Sequence, residues 1–427
     1  MPLYDLVVVG AGIVGLASAR EMLLRHPALK LAVIDKEPRV GAHQTGHNSG
    51  VIHSGIYYSP GSLKARLCVS GAREIYAYCE SHGIPVERCG KVIVASDESE
   101  LGRLHDLYER GLANGVEGLE LIDRERLREL EPHCAGIAAL WSPNTGIVDY
   151  SQVAAHYAVD VRNGGGEIHT GRRLIRLQRR TDRVVLETPA GELEARRVLT
   201  CAGLHADRVA ALSGGAREPG VVPFRGDYWQ LRSGARHLCR NLIYPVPDPA
   251  FPFLGVHATR RIGSGEVWLG PNAVLAFARE GYRRGDLAPA DLAGALANPG
   301  FRRLAQRYWR MGAVEMWRDY SKRAFCASVQ RYIPEVTMAD MVPGPSGVRA
   351  QALDPRGRLI DDFVVDADGD GVMHVRNAPS PAATSSLAIG RLVADTADEA
   401  FGFSLAGDPL SAPSRKGQGT AEAGIGG

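Results

Sequence analysis

Cysteine is scarce in this sequence: seven residues, at Cys68, Cys79, Cys89, Cys134, Cys201, Cys239 and Cys326, an odd total with no Cys-x-x-Cys pair. That spacing supports neither a disulfide framework nor a zinc site, and no metal is expected. Lysine is rarer still, with six residues against 44 arginines. An excess of one charge is also missing. The 50 basic and 48 acidic residues are interspersed for a net charge of +2, so no basic face for nucleic acid is implied. No apolar run approaches the roughly 18 residues that a membrane-spanning helix requires, which leaves surface attachment open. The amino terminus carries Asp5 where a secretory signal has basic residues, and it enters an apolar run at once. A reducing, cytoplasmic setting is therefore expected. What remains is 427 residues with 45% hydrophobic content, enough for two or three domains with a sizeable core.

The most informative stretch is the first. Leu6-Val7-Val8-Val9 is an apolar, β-branched run, and Leu16, Ala17, Ala19, Met22 and Leu23 follow at helical spacing. Between them lies Gly10-Ala11-Gly12-Ile13-Val14-Gly15. In this Gly-x-Gly-x-x-Gly pattern Gly10 serves a tight turn, Gly12 lets backbone approach a pyrophosphate, and Gly15 lets the helix lie close to its strand. The helix amino terminus then faces phosphate. Twenty residues beyond Gly15, Asp35 closes the run Leu31-Ala32-Val33-Ile34, where a carboxylate accepts hydrogen bonds from a ribose. The arrangement predicts a dinucleotide-binding α/β unit.

A nicotinamide-binding domain would continue with further strand–helix units. Instead Gly41-Ala42-His43-Gln44-Thr45-Gly46-His47-Asn48-Ser49-Gly50-Val51-Ile52-His53-Ser54-Gly55 is a long polar loop punctuated by glycine. Such a loop passes close to a flat ligand while supplying hydrogen bonds, which points to a flavin dinucleotide. Helices are predicted over 62–80, 98–114, 123–130, 150–162 and 301–320, with Asp123 capping the third. Strands are predicted over 91–95, 174–177, 184–186, 198–200, 347–354, 363–365 and 374–375, with β-rich sequence over 221–275. Cys201-Ala202-Gly203-Leu204-His205-Ala206-Asp207 is a second strand-to-helix turn, either ordinary or a second contact to the same cofactor.

The expected architecture is a Rossmann-like flavin domain in three pieces, 1–90, 146–215 and 341–402. A β-rich α+β substrate domain is inserted as 91–145 and 216–340, and a flexible tail covers 403–427. A ligand site between the two is expected.

Oxidising a secondary alcohol removes a hydride from carbon and a proton from oxygen. His53, where the chain leaves the polar loop, is either the general base or a cofactor contact. Arg225 and Tyr228, His257 and Thr259, and Arg349 all stand beside glycine turns, and an arginine can hold a carboxylate bidentately. The stretch Phe301-Arg302-Arg303-Leu304-Ala305-Gln306-Arg307-Tyr308-Trp309-Arg310-Met311 is basic and aromatic at helical period, suited to an anionic membrane surface or to packing between domains.

With Gln44 to Tyr58, Pro223-Phe224-Arg225-Gly226, Leu254-Gly255-Val256-His257, Gly270-Pro271-Asn272-Ala273 and Asn377 to Gly390, the chain resembles the flavin oxidoreductases of the D-amino acid oxidase type, and among them the L-2-hydroxyglutarate oxidases and dehydrogenases. The resemblance runs to about residue 402, with His47 standing where the related pattern usually has arginine. It implies FAD as cofactor and oxidation of a small dicarboxylate, L-2-hydroxyglutarate, to 2-oxoglutarate. It also implies quinone or oxygen as acceptor, and a place in the cytoplasm or on the cytoplasmic face of the inner membrane. An amino-acid oxidase and a non-catalytic flavin sensor are the alternatives.

The expected cofactor set is Gly10, Gly12, Gly15, Asp35, Lys36, Thr45, Asn48, Ser49, Leu174, Ala202, Gly203, Asp207, Pro381, Ala382, Ala383, Thr384, Ser385 and Ser386. The expected substrate set is Arg349, Arg225, Tyr228, His257, Thr259 and Tyr57, with His53 as the base.

Overall fold

The computed structural model describes residues 2–248, 255–368 and 371–403. Leu254 and the expected tail from 404 onward lie outside the described residues. Two large sheets organise the chain. The first has eight strands, and its centre is the opening strand Leu3–Val9, which pairs in parallel with Leu31–Ile34 on one side and Gly191–Thr200 on the other. Both neighbours are buried on both faces there, which explains why these runs read as continuously apolar rather than alternating.

On one face of this sheet lie the helices Ile13–Arg25, Leu63–Ser81, Tyr150–Asn163 and Ser386–Phe401, sharing a core that includes Leu6, Val8, Leu16, Met22, Ile75, Tyr157 and Val393. The other face is covered by an antiparallel extension, Arg176–Arg179 and Val184–Thr188, through Leu177, Val184 and Leu186. The helix expected over 62–80 is capped by Ser62, whose hydroxyl accepts from Ala65 N–H, and Asp123 caps its own helix through Arg126 N–H. Val372–Asn377 returns to the first sheet beside Gly191–Thr200.

The second sheet has nine strands and draws on Lys91–Ala95, Glu120–Asp123 and Ala138–Ser142 from the earlier insertion and on Gly220–Leu231 through Val274–Leu275 from the later one. Its longest ladder departs from the expected boundaries. Met341–Leu353, assigned from sequence to the flavin domain, pairs antiparallel with Gly220–Leu231, placing Arg349 opposite Phe224. The ladder thus places this strand in the second sheet rather than the first. A three-stranded sheet of Val51–Ile52, Gly146–Val148 and Val86–Glu87 lies at the end of the polar loop.

Candidate active site

A two-chambered cleft runs along the polar loop. The inner chamber measures about 550 Å³ and the outer about 530 Å³, each within the usual range for ligand sites. They share Gly12, Gln44, Thr45, Cys201 and Gly203. That junction is the amino terminus of the first helix, where backbone N–H groups favour an anion. Gly15 must lack a side chain, because a Cβ would stand 2.0 Å from the Gly10 carbonyl oxygen. Helix and strand therefore meet as the glycine fingerprint requires.

Gly10, Gly12, Asp35, Lys36, Leu174, Ala202 and Gly203 line the inner chamber. Asp35 is aimed by two amides: Ala11 N–H donates to Oδ2 at 2.7 Å and Glu37 N–H to Oδ1 at 2.8 Å. The Lys36 ammonium bonds Glu37 and lies 2.7 Å from Glu280, while His205 approaches Glu280 at 2.8 Å. Although burial opposes it, hydrogen bonds from His205 and Lys36 hold the Glu280 carboxyl down at about 2. Glu37, His43 and Glu280 also converge closely enough to hold a metal ion, but Lys36 already supplies the cation there.

Thr45 and Asn48 shape the loop with their side chains. Thr45 Oγ1 accepts from Ile13 N–H at 3.0 Å, and Asn48 Nδ2 donates to the carbonyls of Gln44 and Thr45 while Oδ1 accepts from Gly50. His47 stacks on Tyr282 at 3.9 Å between centroids. The loop also rests on the second sheet: a Cβ on Gly347 would lie 2.5 Å from the His47 carbonyl oxygen.

Ser49, His53, Tyr57, Tyr228, Tyr244, His257 and Arg349 line the outer chamber, together with Pro381, Ala382, Ala383 and Thr384. Thr384 fixes the exit of the loop, since its Oγ1 accepts from His53 N–H at 3.1 Å and bonds Tyr150. Among the described residues, His53 Nδ1 and the Tyr57 hydroxyl are buried without a hydrogen-bond partner. Buried polar atoms are rarely left unpaired, so these two fit a bound ligand. Burial, then the charge of Lys91 and the neighbouring His257, pushes the His53 imidazole down to about 3. His257 is likewise pushed to about 3, chiefly by burial and against its bond to the Gly255 carbonyl. Both rings are thus neutral at physiological pH.

Several expected contacts are not in the cleft. Arg225 and Tyr228 are an odd number of positions apart on a strand, so their side chains leave opposite faces. Tyr228 faces the cavity; Arg225 is buried elsewhere, bonded to Asp227 at 3.0 Å and Asp319 at 3.3 Å. Asp207 is consumed by Arg279, which bonds both carboxylate oxygens, and by Val221 N–H. Thr259 is fully buried and does not reach the lining. Ser385 and Ser386 open the last helix facing inward, Ser386 against the Tyr157 hydroxyl at 3.1 Å and Ser385 against Gly71. Of the expected 381–386 loop, Pro381, Ala382, Ala383 and Thr384 reach the cavity. Sequence reading missed Gln44, which lines both chambers, Tyr244, which stacks on His257 at 3.9 Å, and Lys91. For Lys91 a signal existed: it is one of six lysines and directly precedes an apolar strand run.

A family model described as FAD dependent oxidoreductase matches residues 5–396. The chain belongs to that family. The match bears out the expected FAD cofactor and the oxidoreductase class. Among curated relatives, the chain is 53% identical over 416 residues to L-2-hydroxyglutarate dehydrogenase, mitochondrial, of Nematostella vectensis, covering 93% of this chain and 91% of the relative. The human protein of the same name is 49% identical over 93% of this chain and 89% of its own length. The L-2-hydroxyglutarate dehydrogenase of Indibacter alkaliphilus is 45% identical over 93% of this chain and its whole length. Among solved structures, an FAD-bound L-α-glycerophosphate oxidase from Mycoplasma pneumoniae superposes with a TM-score of 0.76 at 20% identity, covering 96% of this chain and 97% of that one. Glycine oxidase from Geobacillus kaustophilus does so at 0.69 and 17%, covering 98% of this chain and all of that one. These likenesses show the fold, matched over 96–98% of this chain.

Proposed function

We propose that the protein oxidises L-2-hydroxyglutarate to 2-oxoglutarate. The observation that carries this reading is the outer chamber, where Arg349, the neutral imidazoles of His53 and His257, and Tyr57, Tyr228 and Tyr244 meet beside the polar loop. Relatives named for this reaction, at 45–53% identity, support the choice of substrate. The fingerprint turn, the 44–49 loop and Pro381–Thr384 would hold FAD, which when bound would supply the hydride acceptor.

The chain's own residues do the rest. Arg349 holds the carboxylate next to the reacting carbon, since its fork matches a carboxylate geometrically. His53, neutral and with an unpartnered ring nitrogen, accepts the hydroxyl proton. Burial is the main cause of the depressed imidazole and the charge of Lys91 the next; the arriving dianion offsets the second, so binding raises the basicity of His53. Tyr57, Tyr228 and Tyr244 close the walls with flat apolar surface and excludable hydroxyls. Anaerobic addition of L-2-hydroxyglutarate should bleach the flavin, and L-glutamate should not. Bleaching by glutamate alone would instead favour an amino-acid oxidase, and bleaching by neither a flavin sensor.

Electrons leave, in this reading, to a membrane quinone. The helix Pro299–Tyr320 buries only Gly300 and Asp319 among its residues, which speaks against a packing role between domains. It exposes Trp309, Val314, Met316, Trp317 and Tyr320, interleaved with arginines. No described helix is long and apolar enough to cross a membrane, so attachment would be at the surface. Flotation with anionic vesicles tests this. Recovery of all protein in the soluble fraction would leave oxygen as the simpler acceptor.

A further inference from the structure

Lys91 opens the strand Lys91–Ala95 and is 1% exposed. Its ammonium lies 4.7 Å from the Tyr57 ring centroid and 5.2 Å from that of Tyr244. No carboxylate pairs with it among the described residues, and lysine is almost never fully buried unless paired. The groups around it come from four elements: Cys68 from a helix, Tyr57 and His53 from the polar loop, Tyr244 and His257 from neighbouring strands. Four of these five line the outer chamber, so the charge stands directly behind its wall. Arg349 acts on the same His257.

The other charges of that wall are spent. Among the described residues Asp361 is the only carboxylate in the lining and is 2.6 Å from Lys64, and Arg376 donates to the carbonyls of Ala216 and Glu218. Lys91, with no carboxylate paired to it among the described residues, thus adds a second cation behind the pocket that Arg349 lines. A second positive charge is what a diacid needs and a monoacid does not. Arg225, the second anchor expected from sequence, is unavailable because Asp227 and Asp319 hold it.

We propose that Lys91 is the charge partner of the substrate's second carboxylate and sets the preference for a dicarboxylate over a monocarboxylate. The proposal rests on the 2-hydroxy-diacid reading above and names the residue that makes that reading selective. Burial pushes the Lys91 ammonium down to about 7, against the opposing influence of Cys68. In the ligand-free protein it is therefore largely neutral above that pH. An arriving dianion favours the charged form, so diacid binding draws a proton from solvent.

The test uses FAD-loaded protein and two product ligands, 2-oxoglutarate and 2-oxobutyrate, with dissociation constants read from the flavin absorbance. Lys91→Met should weaken 2-oxoglutarate at least tenfold and 2-oxobutyrate less than threefold. At pH 8, titration calorimetry in buffers of different ionisation enthalpy should show uptake of about one proton per 2-oxoglutarate bound by the wild type, and none by Lys91→Met. Lys91→Arg, always charged, should restore the preference without the proton. An unchanged ratio in Lys91→Met, equal losses for both ligands, or proton uptake that survives the substitution would each overturn the proposal. The two readings fail separately. Wild-type flavin that bleaches with L-2-hydroxyglutarate while the ratio stays put sinks only Lys91, whereas wild type that neither bleaches nor binds 2-oxoglutarate sinks the reaction.

Discussion

Replacing Arg225 with methionine separates a structural cation from a substrate anchor. The guanidinium donates to Asp227 at 3.0 Å, Asp319 at 3.3 Å and the Arg283 carbonyl at 3.4 Å, and the three charged side chains are 2–7% exposed. Arg284, half-exposed, reaches the same two acids at 3.2 and 3.5 Å and cannot replace the buried contact. Breaking a buried pair by removing one partner costs about 3–5 kcal/mol. At roughly 1–2 °C per kcal/mol for a chain of this length, the melting temperature should fall by about 3–10 °C. The loss depends on pH. Burial, and then Asp227 beside it, holds the Asp319 carboxyl above its ordinary range, while Asp227 stays below its own. A raised acid binds protons in the folded chain that the unfolded chain has released, so its contribution to stability falls as pH rises through the carboxylate range. Without Arg225 both acids protonate more easily, and protonation removes the bare charge. The deficit should therefore be largest above about pH 7 and shrink toward about pH 5. Scanning calorimetry of the FAD-loaded protein at both pH values reads this, and the KM for L-2-hydroxyglutarate should move less than threefold. An unchanged melting temperature together with a KM raised twentyfold would refute the argument and return Arg225 to the pocket.

Three further outcomes are expected. His53→Ala should lower kcat by about a hundredfold or more with little change in product affinity, read by stopped-flow reduction of the flavin; an undiminished rate would remove the imidazole from proton transfer. Arg349→Lys should weaken 2-oxoglutarate and 2-oxobutyrate alike, because it loses the fork to the carboxylate both share; equal affinity for wild type and variant in an absorbance titration would contradict that role. Gly15→Ala places a methyl 2.0 Å from the Gly10 carbonyl oxygen, so purified protein should come without flavin, and a full complement of FAD at normal thermal stability would count against the cradle.

The parts of the site legible in sequence were those written in local spacing. The strand, glycine turn, helix and acid from Leu3 to Asp35 obey short-range rules of steric fit and helix polarity, and they fold as those rules demand. What was not legible depends on which face of an element points where, and on partners far away in sequence. Arg225 stands in a glycine-flanked stretch like Arg349, yet strand parity turns it away, and Asp319, 94 residues on, claims it. Asp207 looked like a cofactor contact until Arg279 reached it from a later segment. Ser385 and Ser386 follow four cavity residues, but entry into the helix rotates them into the core. That the strand Met341–Leu353 joins the second sheet was not legible either, because its ladder partner lies more than a hundred residues earlier.

The contact between Gly347 and the His47 carbonyl has a consequence for the order in which ligands engage. Gly347 stands two residues before Arg349 on the same strand, so the segment that wraps the cofactor leans on the segment that presents the guanidinium. Whatever settles one settles the other, and by linkage the coupling runs both ways. On the proposed reading, saturation with FAD should tighten the binding of a diacid, and a diacid should tighten the binding of FAD by the same factor.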